Sequence, residues 1–424
     1  MTHRDRQLDI VLFGATGFVG ALTARHLAEH APAQTRIALA GRSRDKLEQV
    51  RRDLGPAAAH WDLLVADAGE PDDMARLASS ARVVVSTVGP YATYGMPLVQ
   101  ACAEAGTHYA DLTGEVLFAR RSADAWHETA QRTGAKIVHS CGFDSVPSDL
   151  GVLLTAEWAA ADGQGELGRT VLYVRRLRGS FSGGTIASMR TQAIESRGDA
   201  RSRRILADSY ALSPNRNAEP ARPKREHAKA TGPLDVVKGL VRSLPVRRTD
   251  EGHWTGPFVM ASYNTRVVRR SNALLGHAYG REFSYTEVSD FGDSAKSPVL
   301  AAVATGGLYG VAGGMSFAPT RAVLDRVLPK PGEGPSPEAQ RKGSFRMEIE
   351  TTTTTGARYR TIVAGDADPG YSGTAIMLGQ SALSLANDDL SDRAGVLTPA
   401  VALGDHLAQR LREHQFTLTT DRVD

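Results

Sequence analysis

A glycine-rich turn near the start of the chain carries the clearest chemical signal. It reads Gly14-Ala15-Thr16-Gly17-Phe18-Val19-Gly20 and directly follows the apolar run Ile10-Val11-Leu12-Phe13. Glycines at this spacing permit a tight turn from a strand into a helix, and they let a pyrophosphate approach the N–H groups at the helix N-terminus. The sequence of strand, turn and helix therefore predicts a dinucleotide site that includes all seven turn residues.

Residues after the next strands indicate which dinucleotide binds. An Asp or Glu about 20 residues further on would bind the ribose 2′-OH, but this chain has Gly41-Arg42-Ser43-Arg44 there. The Arg42 guanidinium and the Ser43 hydroxyl can hold a 2′-phosphate, which favours NADP(H) over NAD(H). By position, Asp67 is predicted to meet the adenine edge, with a helix N-cap as the alternative. Ser86-Thr87-Val88-Gly89-Pro90 is predicted to line the cofactor crevice.

Two further segments place titratable side chains after strands, where ligands of open α/β sheets bind. The first, Gly89 to Gly95 followed by Thr107 to Glu115, contains Tyr91 and Tyr94, and the second, Ser140 to Asp149, contains Asp144 and Ser145. A short-chain dehydrogenase would need a Tyr followed four residues later by Lys. None of the eleven tyrosines has this partner, which argues against that class.

The sequence His26-Leu27-Ala28-Glu29-His30 matches an inverted zinc-protease pattern. It falls on the first helix of the predicted nucleotide fold, on a face expected to pack or to meet solvent, so no metal site is assigned. The two cysteines, Cys102 and Cys141, cannot form a disulfide framework and indicate a reducing compartment. With no apolar leader in the first nine residues, we expect a cytoplasmic protein.

The elements that must position these residues follow an alternating pattern over the first part of the chain. Short β-branched runs alternate with helical stretches, which predicts an α/β fold with a Rossmann-type doubly wound parallel sheet. The predicted strands are Leu8 to Phe13, Arg36 to Ala40, Leu63 to Ala66, Arg82 to Val88, Tyr109 to Leu112 and Lys136 to Ser140. We assign residues 1–150 to this NADP-binding domain.

After about residue 165 the strands become longer and their patterns alternate. They predict a second, α+β domain over 151–369 built on a mostly antiparallel sheet, with a long basic loop at about 211–250. Residues 370–424 are predicted to form C-terminal helices that pack back on the first domain. The second sheet could also present a homodimer surface.

Residues 297–320 contain no charged side chain, and 24 positions are long enough to cross a bilayer. Five glycines in the segment argue against a simple span. The favoured interpretation is a buried helix that packs on the second sheet. The alternatives are a peripheral membrane or acyl-chain contact and a true span.

Charge is distributed unevenly in a chain whose composition is otherwise that of an ordinary globular protein. The 424 residues are 42% hydrophobic and carry a formal net charge of +3. Residues 197–248, however, hold thirteen Lys or Arg against five acids, a local charge of +8. Such a stretch could steer an acidic carrier protein or meet anionic lipid, or it could simply be a solvated loop. Nucleic acid is not expected, because the stretch has one aromatic residue and no recognisable binding fold.

Taken together, these motifs resemble the saccharopine dehydrogenase-like family, and the similarity extends over essentially the whole chain. Within that family the sequence is most similar to the actinobacterial branch of trans-acting enoyl reductases, which serve polyketide-type lipid assembly. The motifs that carry the resemblance are the glycine turn, Gly41-Arg42, the Val88 to Tyr91 loop, Tyr109 to Glu115, Cys141 to Asp149, Gly183-Gly184-Thr185 and Gly395 to Ala400.

The resemblance implies hydride delivery from NADPH to the β-carbon of an enoyl thioester and protonation at the α-carbon. Tyr91 and Tyr94 are then the leading candidates for hydrogen bonding to the carbonyl or for proton donation, followed by Asp144 and Ser145. The tyrosines could instead pack on the cofactor or in the core, and Asp144 could tie its own loop. The acyl substrate could be carried on an acidic carrier protein of a polyketide synthase.

Two other functions stay open at this point. An amino-acid dehydrogenase of the saccharopine type would need an Arg-lined pocket for α-carboxylates, for which Arg175, Arg176 and Arg178 are the compact candidates. A non-catalytic NADP-binding protein could instead dock on lipid through residues 297–320.

Overall fold

Two seven-stranded sheets organise the chain. The computed structural model describes residues 6–179, 183–220, 245–315, 319–320 and 334–424. The strands are β1 Leu8–Phe13, β2 Ile37–Gly41, β3 Asp62–Val65, β4 Ala81–Ser86, β5 His108–Asp111, β6 Lys136–Val138, β7 Leu167–Arg178, β8 Arg247–Arg248, β9 Trp254–Pro257, β10 Ser284–Asp290, β11 Ser344–Thr353, β12 Arg358–Gly365, β13 Gly395–Leu397 and β14 Thr417–Arg422.

Helices cover both faces of the first sheet and one face of the second. They are α1 Phe18–His30, α2 Arg44–Asp53, α3 Pro71–Ser80, α4 Tyr91–Tyr94, α5 Met96–Ala105, α6 Val116–Thr133, α7 Val146–Ala161, α8 Gly183–Gly198, α9 Ala200–Leu206, α10 Ala261–Leu274, α11 Ser297–Met315, α12 Pro337–Arg341, α13 Ser372–Asn387, α14 Pro399–Ala402 and α15 Gly404–Glu413. Short 3₁₀ turns occur at Gly55–Ala58 and Arg216–Ala218.

The first sheet has the order β13-β6-β5-β4-β1-β2-β3, and all its pairings are parallel. β1 and β4 are apolar on both faces and almost completely buried, as a strand covered by helices on both sides must be. The predicted doubly wound sheet is thus confirmed, with its six predicted strands displaced by no more than one or two residues. The seventh strand, β13, comes from the C-terminal part of the chain and was not predicted.

The second sheet has the order β14-β12-β11-β7-β10-β9-β8. Its pairings are antiparallel except for β7 with β10, which confirms a mostly antiparallel sheet. β11 and β12 form a hairpin that turns at Gly356, where φ is +92°. Helix α7 packs closely on this sheet. A Cβ on Gly151 would come within 2.3 Å of Ile349 Cδ1, so only a glycine fits there.

The segment 211–250, for which the sequence predicts a long basic loop, contains two short elements among its described residues. Arg216–Ala218 forms a 3₁₀ turn, and Arg247–Arg248 pairs with Trp254 and Thr255 as the edge strand of the second sheet. β8 consists of two exposed arginines and has no hydrophobic pattern, so it could not be predicted from the sequence. Residues 221–244 of the predicted basic loop lie outside the described residues.

Helix α11 forms where a helix was predicted, but the prediction that it is buried is wrong. Ser297, Ala301 and Thr305 face the protein, whereas most of the remaining described side chains are exposed. The exposed fractions of Val299, Leu300, Val303 and Tyr309 are 63%, 54%, 68% and 53%. Helix α11 contacts β9 and α8 through one narrow face, so most of this uncharged helix lies on the surface. By length and composition α11 is the one described helix that could cross a membrane.

The C-terminal part of the chain contributes to both sheets. Helix α13 packs on α1 and on the first sheet, and β13 pairs with β6. β14 then pairs with β12 at the edge of the second sheet. The two sheets therefore share one apolar core, which runs from the inner face of the first sheet through α7, α13 and α15 to the second.

Candidate functional site

The glycine turn between β1 and α1 has room only for glycines at two positions. Gly14 has a φ of +91°, and a Cβ there would lie 2.6 Å from Thr87 Oγ1. A Cβ on Gly20 would lie 2.1 Å from the carbonyl oxygen of Gly14. The turn is thus packed against the residue that follows β4, so its first and last glycines are required by close approach.

The N-terminus of α1 is available to an anion. Gly17 is the N-cap, no side chain caps the helix, and its first turn carries no acidic residue. Free N–H groups at a helix N-terminus form a binding site for phosphate. Thr16 and Gly17 are exposed at the turn while Ala15 is buried beneath it, as a pyrophosphate cradle requires.

Phe18 and Val19 begin α1 and are half-buried. The Phe18 ring meets the Tyr371 ring edge to face, with the centroids 5.0 Å apart. A Cβ on Gly334 would lie 2.4 Å from the same phenyl ring. The part of the chain that follows the first sheet therefore covers one side of the predicted cofactor turn.

The residues after β2 and β3 are those predicted to bind a 2′-phosphate and an adenine. Arg42 is exposed, and Ser43 caps α2 by accepting a hydrogen bond from Lys46 N at 3.5 Å, which leaves its O–H free to donate. Asp67 accepts from Gly69 N at 2.9 Å. The N-cap of α3 is Glu70, so the alternative of an N-cap role for Asp67 is wrong.

The residues after β4 form the other wall of the crevice. Thr87 Oγ1 donates to Gly14 O at 3.1 Å, which ties this wall to the glycine turn. Ser86 Oγ accepts from Val88 N at 3.3 Å, and Ser86 itself is buried. Gly89 is exposed at the edge of the crevice, next to Pro90. Thr87 and Ser86 thus shape the predicted cofactor site from below.

Tyr91 was predicted as a catalytic candidate, and its position argues against that role. The side chain is 5% exposed, its hydroxyl donates to Ser86 O at 3.0 Å, and it accepts from Leu112 N at 3.1 Å. Burial, followed by the nearby Asp111 carboxylate, raises the pKa of Tyr91 well above its usual value. The hydroxyl is occupied in linking the ends of β4 and β5, which is the core role that the sequence left as the alternative.

Glu115 holds the same turn; the sequence prediction included it in a motif but gave it no role of its own. Its carboxylate accepts from Tyr91 N at 2.9 Å, from Ala92 N at 2.7 Å and from Ser188 Oγ at 2.6 Å. These bonds clamp α4 between the first sheet and α8 of the second half. Burial raises the pKa of Glu115 despite its three donors. The only sequence signal was an acidic residue that directly precedes a helix.

Tyr94 lies at the other end of α4 and differs sharply from Tyr91. It is 44% exposed, and no hydrogen bond to its hydroxyl is found among the described residues. The α4 turn that carries it contacts α8. Of the two predicted tyrosines, Tyr94 is the one whose hydroxyl is free to meet a ligand.

Asp144 lies after β6 and is the acid of this site whose pKa is raised furthest. Its Oδ1 is 3.6 Å from the position that a Cβ on Gly114 would take, so the carboxyl rests against the residue before Glu115. The residue keeps some exposed surface, but its carboxyl is enclosed by protein. Burial, with a further contribution from Asp111, raises the pKa of Asp144 from 3.8 to about 7. At neutral pH this group can both hold and release a proton.

Ser145 was predicted beside Asp144 as a catalytic candidate, but it points into the core. It is fully buried, and its Oγ donates to Asn264 Oδ1 at 3.2 Å. Asn264 in turn donates to Ser148 and to Glu287. Ser145 thus belongs to the polar network that joins α7 to α10, which is incompatible with direct contact to a substrate.

A buried network lies beneath the crevice and supports the ends of β5 and β6. Asp111 Oδ2 is 2.7 Å from His139 Nδ1 and accepts from Tyr109, while His139 Nε2 is 2.8 Å from Ser122 Oγ. All four side chains are at most 5% exposed. The arrangement of Asp, His and Ser resembles a hydrolytic triad, but a nucleophile with no surface cannot reach a substrate.

The arginine cluster required by an amino-acid dehydrogenase is not available. Arg175 forms ion pairs with three carboxylates, those of Asp290, Glu348 and Glu350. Arg176 and Arg178 are exposed at the end of β7, and Arg176 pairs with Asp366. The one partly buried guanidinium is therefore already neutralised, which removes the predicted pocket for an α-carboxylate.

Comparison with known proteins agrees with this geometry. Residues 10–138 match the saccharopine dehydrogenase NADP binding domain. A trans-acting enoyl reductase of Mycobacterium tuberculosis is 46% identical over 432 residues, and one of Mycobacterium ulcerans is 45% identical over 431, with 100% of each chain covered. A further M. tuberculosis protein assigned to the same class is 49% identical over 429 residues, again with 100% of both chains covered.

A solved structure shows the same fold over nearly the whole length. It is saccharopine dehydrogenase (L-Glu forming) from Saccharomyces cerevisiae, with a TM-score of 0.55 and 12% identity over 98% of this chain and 100% of that one. At this identity the likeness concerns the fold alone. The matched nucleotide domain and the cradle around Gly14 make NADP(H) the cofactor. The chain therefore belongs to the family of trans-acting enoyl reductases, NADP-dependent oxidoreductases with a saccharopine dehydrogenase-type nucleotide domain.

Proposed function

We propose that this protein reduces the carbon–carbon double bond of an enoyl thioester with NADPH, in the service of polyketide or complex-lipid synthesis. The observation that carries the proposal is 45–49% identity over full length with trans-acting enoyl reductases. When bound, the cofactor supplies the hydride for the β-carbon. The protein must orient the substrate, polarise its carbonyl, supply a proton for the α-carbon and exclude water.

Asp144 and Tyr94 are our candidates for these polar roles. Asp144 has a pKa of about 7 and lies at the carboxyl ends of the strands, where ligands of such sheets bind, so it can donate the proton. Tyr94 has a hydroxyl that can hydrogen-bond the thioester carbonyl as negative charge develops on it. Tyr91 and Glu115 act indirectly, because they fix the α4 turn that carries Tyr94. The residues predicted to contact the cofactor remain our proposed cofactor site: Gly14 to Gly20, Arg42, Ser43, Asp67 and Ser86 to Pro90.

The competing function is an amino-acid dehydrogenase that forms or cleaves a secondary amine. The ion pairs of Arg175 disfavour it, and one experiment separates the two. Purified protein is assayed for NADPH oxidation with a long-chain enoyl thioester and, in parallel, for NADP reduction with saccharopine. Turnover of the enoyl thioester alone supports the proposal, whereas turnover of saccharopine alone overturns it. NADP(H) binding without turnover of either substrate would favour a non-catalytic NADP-binding protein.

We propose that the substrate is presented on an acidic carrier protein and that the basic stretch steers the encounter. Of the described arginines, Arg201 and Arg204 are exposed on α9, while Arg216 is paired with Asp208. Steering by charge predicts an association rate that falls as salt rises. Neutralising the lysines and arginines of residues 222–229 should slow turnover of carrier-bound substrate only. Unchanged turnover in low salt would refute steering.

The exposed apolar face of α11 is proposed to contact lipid, which would make this cytoplasmic protein peripherally membrane-associated. The helix contacts α8, which itself covers the α4 turn, so this surface continues into the candidate active site. Apolar side chains on a surface helix gain free energy when they enter the interfacial region of a bilayer. A homodimer across the second sheet remains a prediction from the sequence.

A further inference from the structure

Three histidines from the two ends of the chain lie together at the end of α1 that is opposite the glycine turn. His26 and His30 occupy the last turns of α1, and His414 follows α15. The ring centroids lie 4.6 Å apart for His26 and His30, 4.6 Å for His30 and His414, and 4.9 Å for His26 and His414. The four-residue spacing of His26 and His30 on one helix is visible in the sequence, but only the fold brings His414 beside them.

The Gln380 side chain shows where the lone pairs of two of these rings point. Its Nε2 is 2.8 Å from His26 Nε2 and 2.7 Å from His414 Nε2. The amide oxygen on its other side accepts from Arg410 Nη1 at 3.3 Å, which orients the amide nitrogen toward the imidazoles. An amide nitrogen can only donate, so both Nε2 atoms must be acceptors with lone pairs directed at one point.

The His26 imidazole is enclosed by close packing between α1 and α13. The imidazole is 6% exposed, and a Cβ on Gly379 would come within 2.6 Å of its Cδ2. Because Gln380 Nε2 donates to His26 Nε2, this nitrogen has an accepting lone pair, which is what a metal ion requires of an imidazole.

We propose that His26, His30 and His414 bind a late first-row divalent cation such as Zn²⁺. One ligand nitrogen from each ring lies within 4.8 Å of the others. A tetrahedral ion bonded at about 2.0–2.1 Å would draw these atoms to about 3.4 Å from one another. The exposed His30 has the freedom to make most of that movement. The ion would displace the Gln380 amide nitrogen from the two Nε2 lone pairs, and a water can complete the coordination.

The charges that face the cluster permit a cation. Arg410 is the nearest guanidinium, and Asp388 neutralises it through two hydrogen bonds of 2.8 and 2.5 Å. Glu29 lies 3.9 Å from His30 and Glu413 is adjacent to His414, so both carboxylates reduce the local positive charge. Because the ligands come from α1 and from the residue after α15, the ion would cross-link the nucleotide fold to the C-terminal part of the chain.

The test uses the full-length protein after treatment with a chelator. Titration with Zn²⁺ should give one ion per chain and a higher Tm, and Co²⁺ should give the visible absorption of a tetrahedral site. His30→Gln removes an exposed ligand, so it should keep the metal-free Tm and lose at least tenfold in Zn²⁺ affinity. His414→Gln should lose affinity similarly.

A matched control is His406→Gln, which changes an exposed histidine on α15 that lies outside the cluster. This variant should bind Zn²⁺ and Co²⁺ as the wild type does. The proposal is overturned if the wild type binds neither ion, if His30→Gln binds as tightly as the wild type, or if all three variants lose affinity equally. None of these readouts depends on the reductase activity.

Discussion

Asp144 is the residue whose chemistry depends most on its surroundings. Nothing in its sequence position distinguishes it from Asp149, which lies five residues later, is completely buried, and accepts hydrogen bonds from Ser271 Oγ and Ala400 N. Asp144 instead keeps some exposed surface after a strand of the cofactor sheet, where burial raises its pKa to about 7. At this scale the sequence could propose candidates, but only the packing could distinguish Asp144 from the fully buried carboxyl of Asp149.

We predict that Asp144→Asn lowers kcat by about 10²- to 10⁴-fold, the usual contribution of a general acid. In the wild type, kcat should fall as pH rises through about 7, because Asp144 then loses the proton that it must donate. The variant should lose this limb of the profile and bind NADPH normally. Steady-state rates at pH 5–9 measure both. A variant with the wild-type pH profile would exclude Asp144 as the acid.

The same pKa predicts how stability depends on pH. Above about pH 4 the unfolded carboxyl ionises while the folded one keeps its proton, so the free energy of unfolding falls as pH rises until about 7. Asp144→Asn removes this loss. The variant should therefore be stabilised relative to the wild type at pH 8 more than at pH 5, as thermal unfolding can measure.

The two tyrosines of α4 should respond differently to loss of the hydroxyl. Tyr91→Phe leaves Ser86 O and Leu112 N without their partner, at a cost of about 1–3 kcal/mol in the free energy of unfolding. Tyr94→Phe should lower kcat and leave stability unchanged. Chemical denaturation and turnover are measured for both, with the exposed Tyr309→Phe as control. Reduced kcat without loss of stability in Tyr91→Phe would restore the catalytic role predicted from sequence.

Elements were predictable where their pattern is local. Helix α1 forms directly after the glycine turn and contains His26 to His30, as the sequence predicts, because that turn marks where the helix starts. β13 has three residues and β8 has two, so each is recognisable as a strand only by its pairing, with β6 and β9 respectively. The exposure of α11 could not be predicted either, because a sequence without charge is normally buried. Elements defined by distant partners were thus the ones missed.

At the turn after β2, we predict that Arg42→Ala weakens NADPH binding about tenfold or more and leaves NADH binding unchanged. The reason is the loss of a charge-assisted hydrogen bond to the 2′-phosphate. Arg44→Ala is a matched control, because Arg44 is equally exposed but pairs with Glu48 on α2. Fluorescence titration with both cofactors gives the affinities. Equal weakening for NADPH and NADH would show that Arg42 does not recognise the phosphate.

For α11, we predict that Val299→Asp combined with Val303→Asp abolishes binding to vesicles of phosphatidylglycerol and phosphatidylcholine. Both side chains are more than 60% exposed, so the folded protein should tolerate the change. Sedimentation with vesicles measures the binding. A double variant of the nearby exposed alanines, Ala302→Ser with Ala304→Ser, serves as control. If the wild type does not sediment with vesicles, α11 is not a lipid contact.

Over the whole molecule, the sequence predicted two domains followed by C-terminal helices that pack back on the first, and in the structure the C-terminal segment also adds a strand to each sheet. The predicted C-terminal helices pack on the first sheet as α13, but the same segment also supplies β13 to one sheet and β14 to the other. Glu115 adds a further link, because it joins the α4 turn to Ser188 of α8. The link from Glu115 to Ser188 joins residues 73 positions apart, which no local pattern can reveal.

Deletion of residues 395–424 should therefore disturb both sheets at once. We predict that the shortened chain loses cooperative thermal unfolding and NADPH binding together, because β6 and β12 each lose a partner strand. Circular dichroism and cofactor titration measure the two properties. A chain that ends at residue 422 keeps both strands and should behave as the wild type. A shortened chain that still binds NADPH would show that the first sheet folds without β13.

The pairing of β13 with β6 also has a consequence for protein synthesis. As the ribosome releases the chain, residues 1–150 emerge first and contain every predicted contact for the cofactor, yet β6 then forms an open sheet edge. That edge stays exposed until Gly395–Leu397 leaves the exit tunnel. An unpaired edge strand is a template for association with other chains. The nascent cofactor domain thus carries an edge open to strand addition until Gly395–Leu397 has been synthesised.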